Sequence, residues 1–172
     1  MTSTDGDAPE PTWSGWGPPL RVRIEPSAIG VFARALHDEN PVFRSDRAAA
    51  ERGGFATVPA PPTFTFVMAH SGAHPDLQPS DGRGRLGPPD GLATEDGYSR
   101  DGLYLHGEQH FTYHRQPMAG DVLQGRMRVS EPMEKAGSRG RMEVTFMDTE
   151  WRDPDGTPVV TERIVSIFIP NQ

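Results

Sequence analysis

Four long stretches of β-type sequence in the C-terminal part of this chain limit what it can fold into. They cover residues 103–115, 122–134, 141–152 and 159–169, and Gly, Pro and Asp gather in the turns between them. Ordinary strands have only about 5–6 residues. The pattern therefore predicts an antiparallel meander of long strands that curves around another element.

A short strand and two helices precede this sheet in the sequence. Residues 20–24 alternate apolar and charged side chains, as a half-buried strand does. Pro26 opens a first helix, which ends before the Asn-Pro pair at 40–41 because a residue that precedes proline disfavours the α conformation. A second short helix covers residues 46–52 and stops at a glycine pair. The first helix carries one apolar stripe, made of Ile29, Phe32, Ala33 and Leu36.

An almost wholly apolar run at 63–70 follows the Pro-Ala-Pro-Pro sequence of residues 59–62. Proline is favoured in the first turn of a helix, and a helix that is apolar on most faces is a buried one. A short buried strand also fits the run, because periodicity alone does not separate the two. We expect an α+β fold in which a curved antiparallel sheet wraps around this segment as a central helix.

Length and composition predict one domain with a tail and a long loop. The chain has 172 residues, within the usual range for a single domain, which we expect at 20–172. Residues 1–19 are polar and Pro-rich and are expected to be extended. Their two indoles, Trp13 and Trp16, pack either onto this domain or onto a partner. The Gly- and Pro-rich stretch at 71–102 is too long for an ordinary loop, so we predict a flexible flap there.

Charge and residue usage exclude several classes of protein. The net charge is −7, and a chain this acidic is a poor binder of nucleic acid, which needs clustered Lys and Arg. The chain has no Cys, which excludes disulfides, thiol nucleophiles and Cys-ligated metals. No apolar run approaches the ~20 residues of a membrane span, and the polar N-terminus is unlike a signal peptide. We expect a cytoplasmic protein without membrane or nucleic-acid partners.

The first candidate for a site is the polar cluster His-Asp-Glu-Asn-Pro at residues 37–41. It lies at the end of the first helix, where side chains can turn inward. The simpler interpretation is that Asp38 and Asn40 cap and turn the backbone there.

The second candidate is a histidine-rich strand. Alternate residues of a strand share a face, so His106, His110 and His114 are expected to point the same way. Histidines four residues apart in a strand are about 13 Å apart, too far to share one metal ion. We therefore expect no metal site, although one of these histidines can still line a pocket.

Three segments carry motifs of a known family. They are Ala-Leu-His-Asp-Glu-Asn-Pro-Val-Phe-Arg at 35–44, Val-Pro-Ala-Pro-Pro-Thr-Phe at 58–64, and the stretch 105–122, which contains Arg-Gln-Pro-Met-Ala-Gly-Asp. Together they resemble the MaoC-like (R)-specific hydratase/dehydratase family, most closely its N-terminal, fatty-acid-synthase-type dehydratase branch. The resemblance extends over roughly residues 20–169.

The resemblance implies a hotdog fold, in which a curved antiparallel sheet wraps a long helix. It also implies hydration of a trans-2-enoyl thioester, or the reverse dehydration of a 3-hydroxyacyl thioester, carried on coenzyme A or acyl carrier protein with no further cofactor. An Asp/His pair acts on the water as general acid and base. Backbone N–H groups at the start of the central helix stabilise the thioester oxygen.

Two departures from the family pattern concern the catalytic groups. Asp38 and Asn40 match the motif Gly-Asp-x-Asn-Pro-Leu-His, but Phe43 stands where the catalytic His belongs. The active half has Ala-His-Gly at the start of the central helix, whereas here two prolines follow Ala60 and offer no N–H. The resemblance thus implies the degenerate, acyl-accommodating half of a heteromer with an active hotdog partner. Its acyl tunnel is expected to be lined by Thr63, Phe64, Phe66, Val67 and Met68.

Two alternatives remain open at this point. The chain could be a self-sufficient homodimeric (R)-enoyl-CoA hydratase that combines Asp38 with His106 or His110 as the base. It could also lack catalysis and bind acyl thioesters, or act as a scaffold in a multienzyme complex.

Overall fold

The computed structural model describes residues 10–70, 101–137 and 140–171. Most of the predicted flap and the first nine residues of the tail lie outside this description. The helices are α1 (Pro26–Ala35), α2 (Asp46–Gly53) and α3 (Phe64–His70), with a 3₁₀ helix at Pro41–Phe43. The strands are β1 (Leu20–Arg23), β2 (Gly102–Tyr113), β3 (Val122–Val129), β4 (Met133–Gly137), β5 (Gly140–Arg152) and β6 (Pro158–Pro170).

The strands form one antiparallel sheet in the order β1-β3-β5-β6-β2, with β4 paired to β5. This order corrects the predicted meander, because β2 is not a neighbour of β3 but pairs with β6 at the far side of the sheet. Both sides of β5 are taken by β3 and β6, so β6 offers β2 its free hydrogen-bonding edge. The described sheet is open, with β1 and β2 as its edges.

The strand predicted over residues 122–134 is divided into β3 and β4. Ser130 still bonds to β5, since its N–H donates to the carbonyl of Phe146 at 2.9 Å. The N–H of Glu131 instead donates to the carbonyl of Thr12 in the tail, and Pro132 has no N–H to offer. The ladder is therefore interrupted for two residues.

The apolar segment at 63–70 forms a helix rather than a strand, as α3. Its Phe64 and Met68 are buried in the core, in contact with a cluster that the sheet and α1 supply. Gly125 on β3 allows Trp151 to enter this core, because a Cβ at that position would come within 2.6 Å of the indole. Further members of the cluster are Ile24, Ile29, Leu123, Val159 and Val160.

The predicted start of the first helix and the predicted second helix are confirmed. α1 begins at Pro26, and α2 is capped by the hydroxyl of Ser45 and is followed by Gly54, whose φ is 68°. The predicted end of the first helix is wrong, because α1 stops at Ala35 and the left-handed His37, with a φ of 55°, follows before the Asn-Pro pair. Leu36, which was assigned to the apolar stripe, is 55% exposed because α1 has ended before it.

The tail runs beside β3. Ser14 and Val129 exchange two hydrogen bonds, one through the Ser14 hydroxyl. The guanidinium of Arg128 lies 4.1 Å from the ring centroid of Trp13 and 4.8 Å from that of Trp16. Of the two alternatives for these indoles, the structure shows contact with their own domain.

Candidate functional site

The motif residues after α1 shape the backbone. Asp38 Oδ1 accepts the N–H of Asn40 at 2.9 Å, and Asn40 Oδ1 accepts the N–H of Val42 at 3.2 Å. The side chain of Asn40 thereby caps the 3₁₀ helix. Both residues are exposed and act as the simpler interpretation expected, as local caps.

Phe43, at the position of the motif histidine, belongs to the core. It is only 9% exposed and packs in the same cluster as Val42. A phenyl ring has no proton to give or take, so the motif supplies no base beside Asp38. The residue that departs from the family motif thus serves to pack the core.

The start of α3 offers few free backbone donors. The N–H of Thr63 donates to the hydroxyl of Tyr113 at 2.9 Å, and the N–H of Phe64 donates to the carbonyl of Pro61 at 3.2 Å. Thr63 has a φ of 67°, a left-handed conformation that β-branched residues rarely adopt. Because these donors are already engaged, this turn is a poor place to stabilise an oxyanion.

The helix α3 divides the predicted tunnel residues between two sides. Phe64 and Met68 are buried in the core of this chain, whereas Phe66 is half-buried and Val67 is exposed. The ring of Phe66 meets the imidazole of His106 edge-on, with 6.2 Å between the ring centroids. The accessible side of α3 is therefore the side that faces β2.

A β-bulge in β2 separates the histidines. The register of β2 against β6 shifts between His106 and Glu108, and Gly107 is the extra residue. His106 contacts α3, but His110 lies on the opposite face, with its Nε2 2.8 Å from Oε2 of Glu108. The prediction that these histidines share a face is wrong, because one inserted residue reverses the alternation that follows it. His110 therefore points away from α3.

Glu162 is a buried titratable group that the sequence analysis missed. It lies on the face of β6 toward α3 and is 2% exposed. Its Oε1 accepts the indole N–H of Trp151 at 3.2 Å. Burial raises the pKa of Glu162 to about 7, although Thr65 of α3 and Trp151 both favour the ionised form.

The surroundings of Glu162 contain further polar groups. Thr65 is close enough to favour the carboxylate, but its buried hydroxyl makes no hydrogen bond of standard length and angle with any described residue. A signal in the sequence points to Glu162: alternation places it on the same face as Val160 and Ile164, where an apolar residue is the norm.

The edge strand β2 carries exposed apolar side chains. Leu103, Leu105 and Tyr113 are all exposed along it. One long edge of β2 pairs with β6, and the other has no strand partner among residues 10–70, 101–137 and 140–171. Such an edge is a ready template for pairing with another chain.

The described part of the chain contains no cluster of three or more His, Asp or Glu side chains that could hold a metal ion. Within the same residues, no helix is long and apolar enough to cross a membrane.

Comparison with known proteins gives a consistent result. Residues 13–162 match the family model described as FAS1-like, dehydratase domain region. A UPF0336 protein of Thermobifida fusca is 34% identical over 133 residues, which cover 77% of this chain and 74% of that protein. A UPF0336 protein of Parafrankia sp. is 38% identical over 133 residues, covering 74% of this chain and 72% of the relative.

Solved structures share the architecture. The C-terminally truncated HadBC (3R-hydroxyacyl-ACP dehydratase) complex of Mycobacterium tuberculosis aligns with a TM-score of 0.61 at 23% identity, over 92% of this chain and 98% of the other. The ChsH1-ChsH2 complex of the same organism aligns with a TM-score of 0.66 at 20% identity, over 92% of this chain and 86% of the other. The R-hydratase PhaJ1 of Pseudomonas aeruginosa aligns with a TM-score of 0.55 at 18% identity, over 96% of this chain and 84% of the other. These likenesses show a shared fold, and the predicted hotdog architecture is confirmed.

Proposed function

Because this chain belongs to the FAS1-like dehydratase region family, we propose that it is the non-catalytic, acyl-accommodating subunit of an enoyl-thioester hydratase or 3-hydroxyacyl-thioester dehydratase. A second hotdog subunit supplies the Asp/His pair that acts on water as general acid and base. This chain contributes the apolar surface against which the acyl chain lies, and it needs no cofactor.

One observation carries the proposal: Phe43 replaces the motif histidine and is buried in the core. The neighbouring groups support the same view. Asp38 and Asn40 are used as backbone caps. At the start of α3, the N–H of Thr63 is already bonded to Tyr113. A site that lacks the motif histidine, and whose first N–H groups at the start of α3 are already engaged, has lost two main sources of catalysis.

The second subunit is inferred from the β2 edge. Its exposed Leu103, Leu105 and Tyr113 lie along a strand whose second edge has no strand partner among the described residues, and a partner strand would cover that edge. Two of the structural neighbours, HadBC and ChsH1-ChsH2, are complexes of different subunits. The same pairing would bring the accessible side of α3, with Phe66 and Val67, toward the interface and so toward a shared acyl tunnel.

The experiment is reconstitution with a hotdog protein from the same organism that has an intact Asp…His motif. Hydration of crotonyl-CoA and of longer enoyl-CoA thioesters is measured for each chain alone and for the pair. We expect a stable complex, turnover by the pair, and at least a hundredfold less turnover by this chain alone. Robust turnover by this chain alone, abolished in Asp38→Asn, would overturn the proposal.

The role of α3 has its own test in the active pair. Phe66→Ala is expected to raise KM for long acyl chains several-fold while changing KM for crotonyl-CoA little, because only a long chain reaches that side chain. His110→Ala, on the opposite face of the sheet, is the matched control. Equal effects of Phe66→Ala on short and long substrates would contradict an acyl-binding role.

A second candidate function, the self-sufficient homodimeric hydratase, is favoured by one observation: His106 lies against α3. If His106 is the base, His106→Ala removes the turnover of the isolated chain and His110→Ala does not. The two functions are thus separated by the same assay on the isolated chain.

A further inference from the structure

The face of the sheet that is turned away from α3, called the outer face below, changes its chemistry along the strands. Near the turn that precedes β6 it is polar, since Arg163 and Asp148 form their ion pair there and His110 opposes Arg163. Beyond the β2 bulge the same face becomes apolar, because the alternation of β6 places three aliphatic side chains on it. These are Val165, Ile167 and Ile169.

The apolar area continues across four strands. Residues directly opposite each other in an antiparallel pair have their side chains on the same face. Ile167 is opposed by Leu105 of β2 and by Val144 of β5. Met133 of β4 in turn opposes Val144. The outer apolar patch consists of this row and its neighbours Leu103, Val165 and Ile169.

The inner face of the same half of the sheet carries a polar row. His106 opposes Ser166, and Ser166 opposes Thr145, so three neighbouring strands present polar side chains toward the side of α3. An antiparallel sheet with one solvated face normally keeps its apolar side chains on the covered face. The unbroken apolar row of this half lies on the outer face, which indicates that the outer face is covered in the assembled protein.

Much of the outer apolar patch is accessible in the single chain. Leu103 and Leu105 are 46% and 40% exposed, and Val165, Ile167 and Ile169 are half-buried. Single exposed aliphatic residues are ordinary, but a contiguous group of them marks an interaction surface. Because the patch is the face of a sheet, a second sheet can pack on it at a spacing of about 10 Å.

Two exposed residues of opposite charge stand at opposite corners of the patch. Glu108 of β2 opposes Val165, at one end of the patch. Lys135 of β4 opposes Met142, at the other end and on the other side. Oε2 of Glu108 is bonded to His110, which leaves Oε1 for a second partner. The patch therefore carries its own electrostatic complement, an anion at one corner and a cation at the other.

We propose that the outer apolar patch is the contact between two copies of this chain, whose sheets stack face to face about a two-fold axis. A two-fold contact uses the same surface on both copies, so the surface has to be complementary to itself. The aliphatic side chains of the patch satisfy this condition in any orientation. The corner charges select one orientation, because only one places Glu108 of each copy above Lys135 of the other.

The register gives the crossing angle of the two sheets. The patch is nearly square, because four strands span ~14 Å and the distance from Val165 to Ile169 along β6 is ~13 Å. A two-fold axis parallel to the sheets exchanges the charged corners when it runs along the diagonal that does not connect them. The strands of the two copies then cross near a right angle, which is one of the two common packings of sheet on sheet.

The hotdog partner of the proposed function does not cover this patch. A strand that pairs with β2 prolongs the sheet in its own plane, so it lies beside the patch and not above it. The two contacts are therefore compatible. We expect this chain alone to form a dimer and the reconstituted pair to assemble into four chains, two of each kind.

The first test is the oligomeric state of the purified chain, measured by sedimentation at micromolar concentrations. We expect a reversible dimer. Ile167→Lys places a charge in the middle of the patch and is expected to weaken the dimer at least tenfold. Thr161→Lys, on the same strand and the same face but in the polar half, is the matched control and should leave the dimer unchanged. Circular dichroism checks that both variants are folded.

Exchange of the corner charges tests the orientation with substitutions at exposed positions, which leave the core intact. Glu108→Lys and Lys135→Glu are each expected to weaken the dimer several-fold, because each brings like charges together. The double variant restores opposite charges and should regain most of the wild-type affinity. Weakening in the double variant equal to the sum of the single effects would contradict the proposed contact.

Cross-linking separates this contact from pairing through the β2 edges. The chain has no Cys, so Ile167→Cys introduces one thiol, near the two-fold axis. A short bis-maleimide is expected to link two copies of this variant in high yield. Thr161→Cys, ~20 Å further along β6, should be linked poorly. A monomer at all concentrations, or a dimer that survives Ile167→Lys and is not linked at position 167, would overturn the proposal.

The outcome is independent of the proposed function. If the chain dimerises through the patch but the reconstituted pair hydrates no enoyl thioester, the proposed function fails and the contact stands. If the pair is active but contains only one copy of each chain, the contact is wrong and the proposed function stands. Ile167→Lys in the active pair is expected to halve the assembly and to leave turnover unchanged.

Discussion

Two carboxylates are buried on opposite faces of the same sheet and are stabilised in different ways. Asp148 is 4% exposed and Glu162 is 2% exposed, on neighbouring strands β5 and β6. Asp148 is held by two guanidinium groups: Arg163 bonds both its oxygens, at 2.7 and 2.9 Å, and Arg128 adds a third bond at 2.9 Å. The donors beside Glu162 are the neutral Trp151 indole and a hydroxyl.

Burial disfavours the ionised form of both carboxylates, and the presence or absence of a facing guanidinium group determines whether that cost is offset. Burial raises the pKa of Glu162 to about 7, and no cation of the described residues offsets that effect by forming an ion pair with its carboxylate. On the other face, the hydrogen bond to Asp148 raises the pKa of the Arg163 guanidinium. The outer face is thus a charged clamp beneath the tail, and the inner face keeps a proton-binding group under α3.

The largest expected effect is the pH dependence that Glu162 confers. Between pH 4.5 and about 7 the folded chain keeps this proton and the unfolded chain releases it, so stability falls as pH rises through that window. The loss amounts to roughly 3 kcal/mol. Glu162→Gln removes this pH-dependent loss of stability. The free energy of unfolding of the variant is therefore expected to exceed that of wild type at pH 8 and to be similar to it at pH 4. Urea unfolding across this pH range measures both.

Glu131→Gln, at an exposed position, is the control and should keep the wild-type pH profile. Identical profiles for wild type and Glu162→Gln would mean that Glu162 titrates in the folded chain as it does in water. The contrast with Asp148 would then be lost.

A smaller effect is expected when the clamp on the outer face is broken. Asp148→Asn removes the charge that faces Arg128 and Arg163, and we expect a loss of about 2 kcal/mol in unfolding free energy at pH 7. The value is below that for a fully buried pair because both arginines are partly exposed. Asp155→Asn, at an exposed turn, should stay within about 0.5 kcal/mol of wild type. A change for Asp148→Asn as small as the control's would show that the clamp contributes nothing.

The smallest expected effect concerns the tail. Trp13→Ala removes an indole that lies within 5.3 Å of Arg163 and 4.1 Å of Arg128, at a cost of about 1 kcal/mol. Cleavage of residues 10–19 by a protease of broad specificity should become faster, since the tail loses its anchor. A double variant with Asp148→Asn should lose less than the sum of the two single losses, because the same arginines serve both contacts. Strict additivity would show that the tail and the clamp are independent.

Much of the local structure could be predicted from particular residues. Pro26 starts α1, and Ser45 and Gly54 bound α2. The exchange of the motif histidine for Phe43 could also be read directly. These are short-range features, determined by the conformations that single residues allow or by a motif match.

Less of the candidate site could be predicted from the sequence. Simple alternation placed His106 and His110 together, and the bulge at Gly107 separates them. The packing of the fold buries Phe43 in the core, and the burial of Glu162 raises the pKa of its carboxyl group. Each of these features depends on contacts with residues that are distant in the sequence.

By itself the sequence determined most of the elements along the chain and the loss of the motif histidine, because dihedral preferences and side-chain chemistry belong to single residues. Only the tertiary structure decided that β2 joins β6 at an open edge, which histidine faces α3, and which of two carboxylates meets a cation. The physical reason is that strand pairing, desolvation and charge compensation are properties of pairs of groups far apart in the chain.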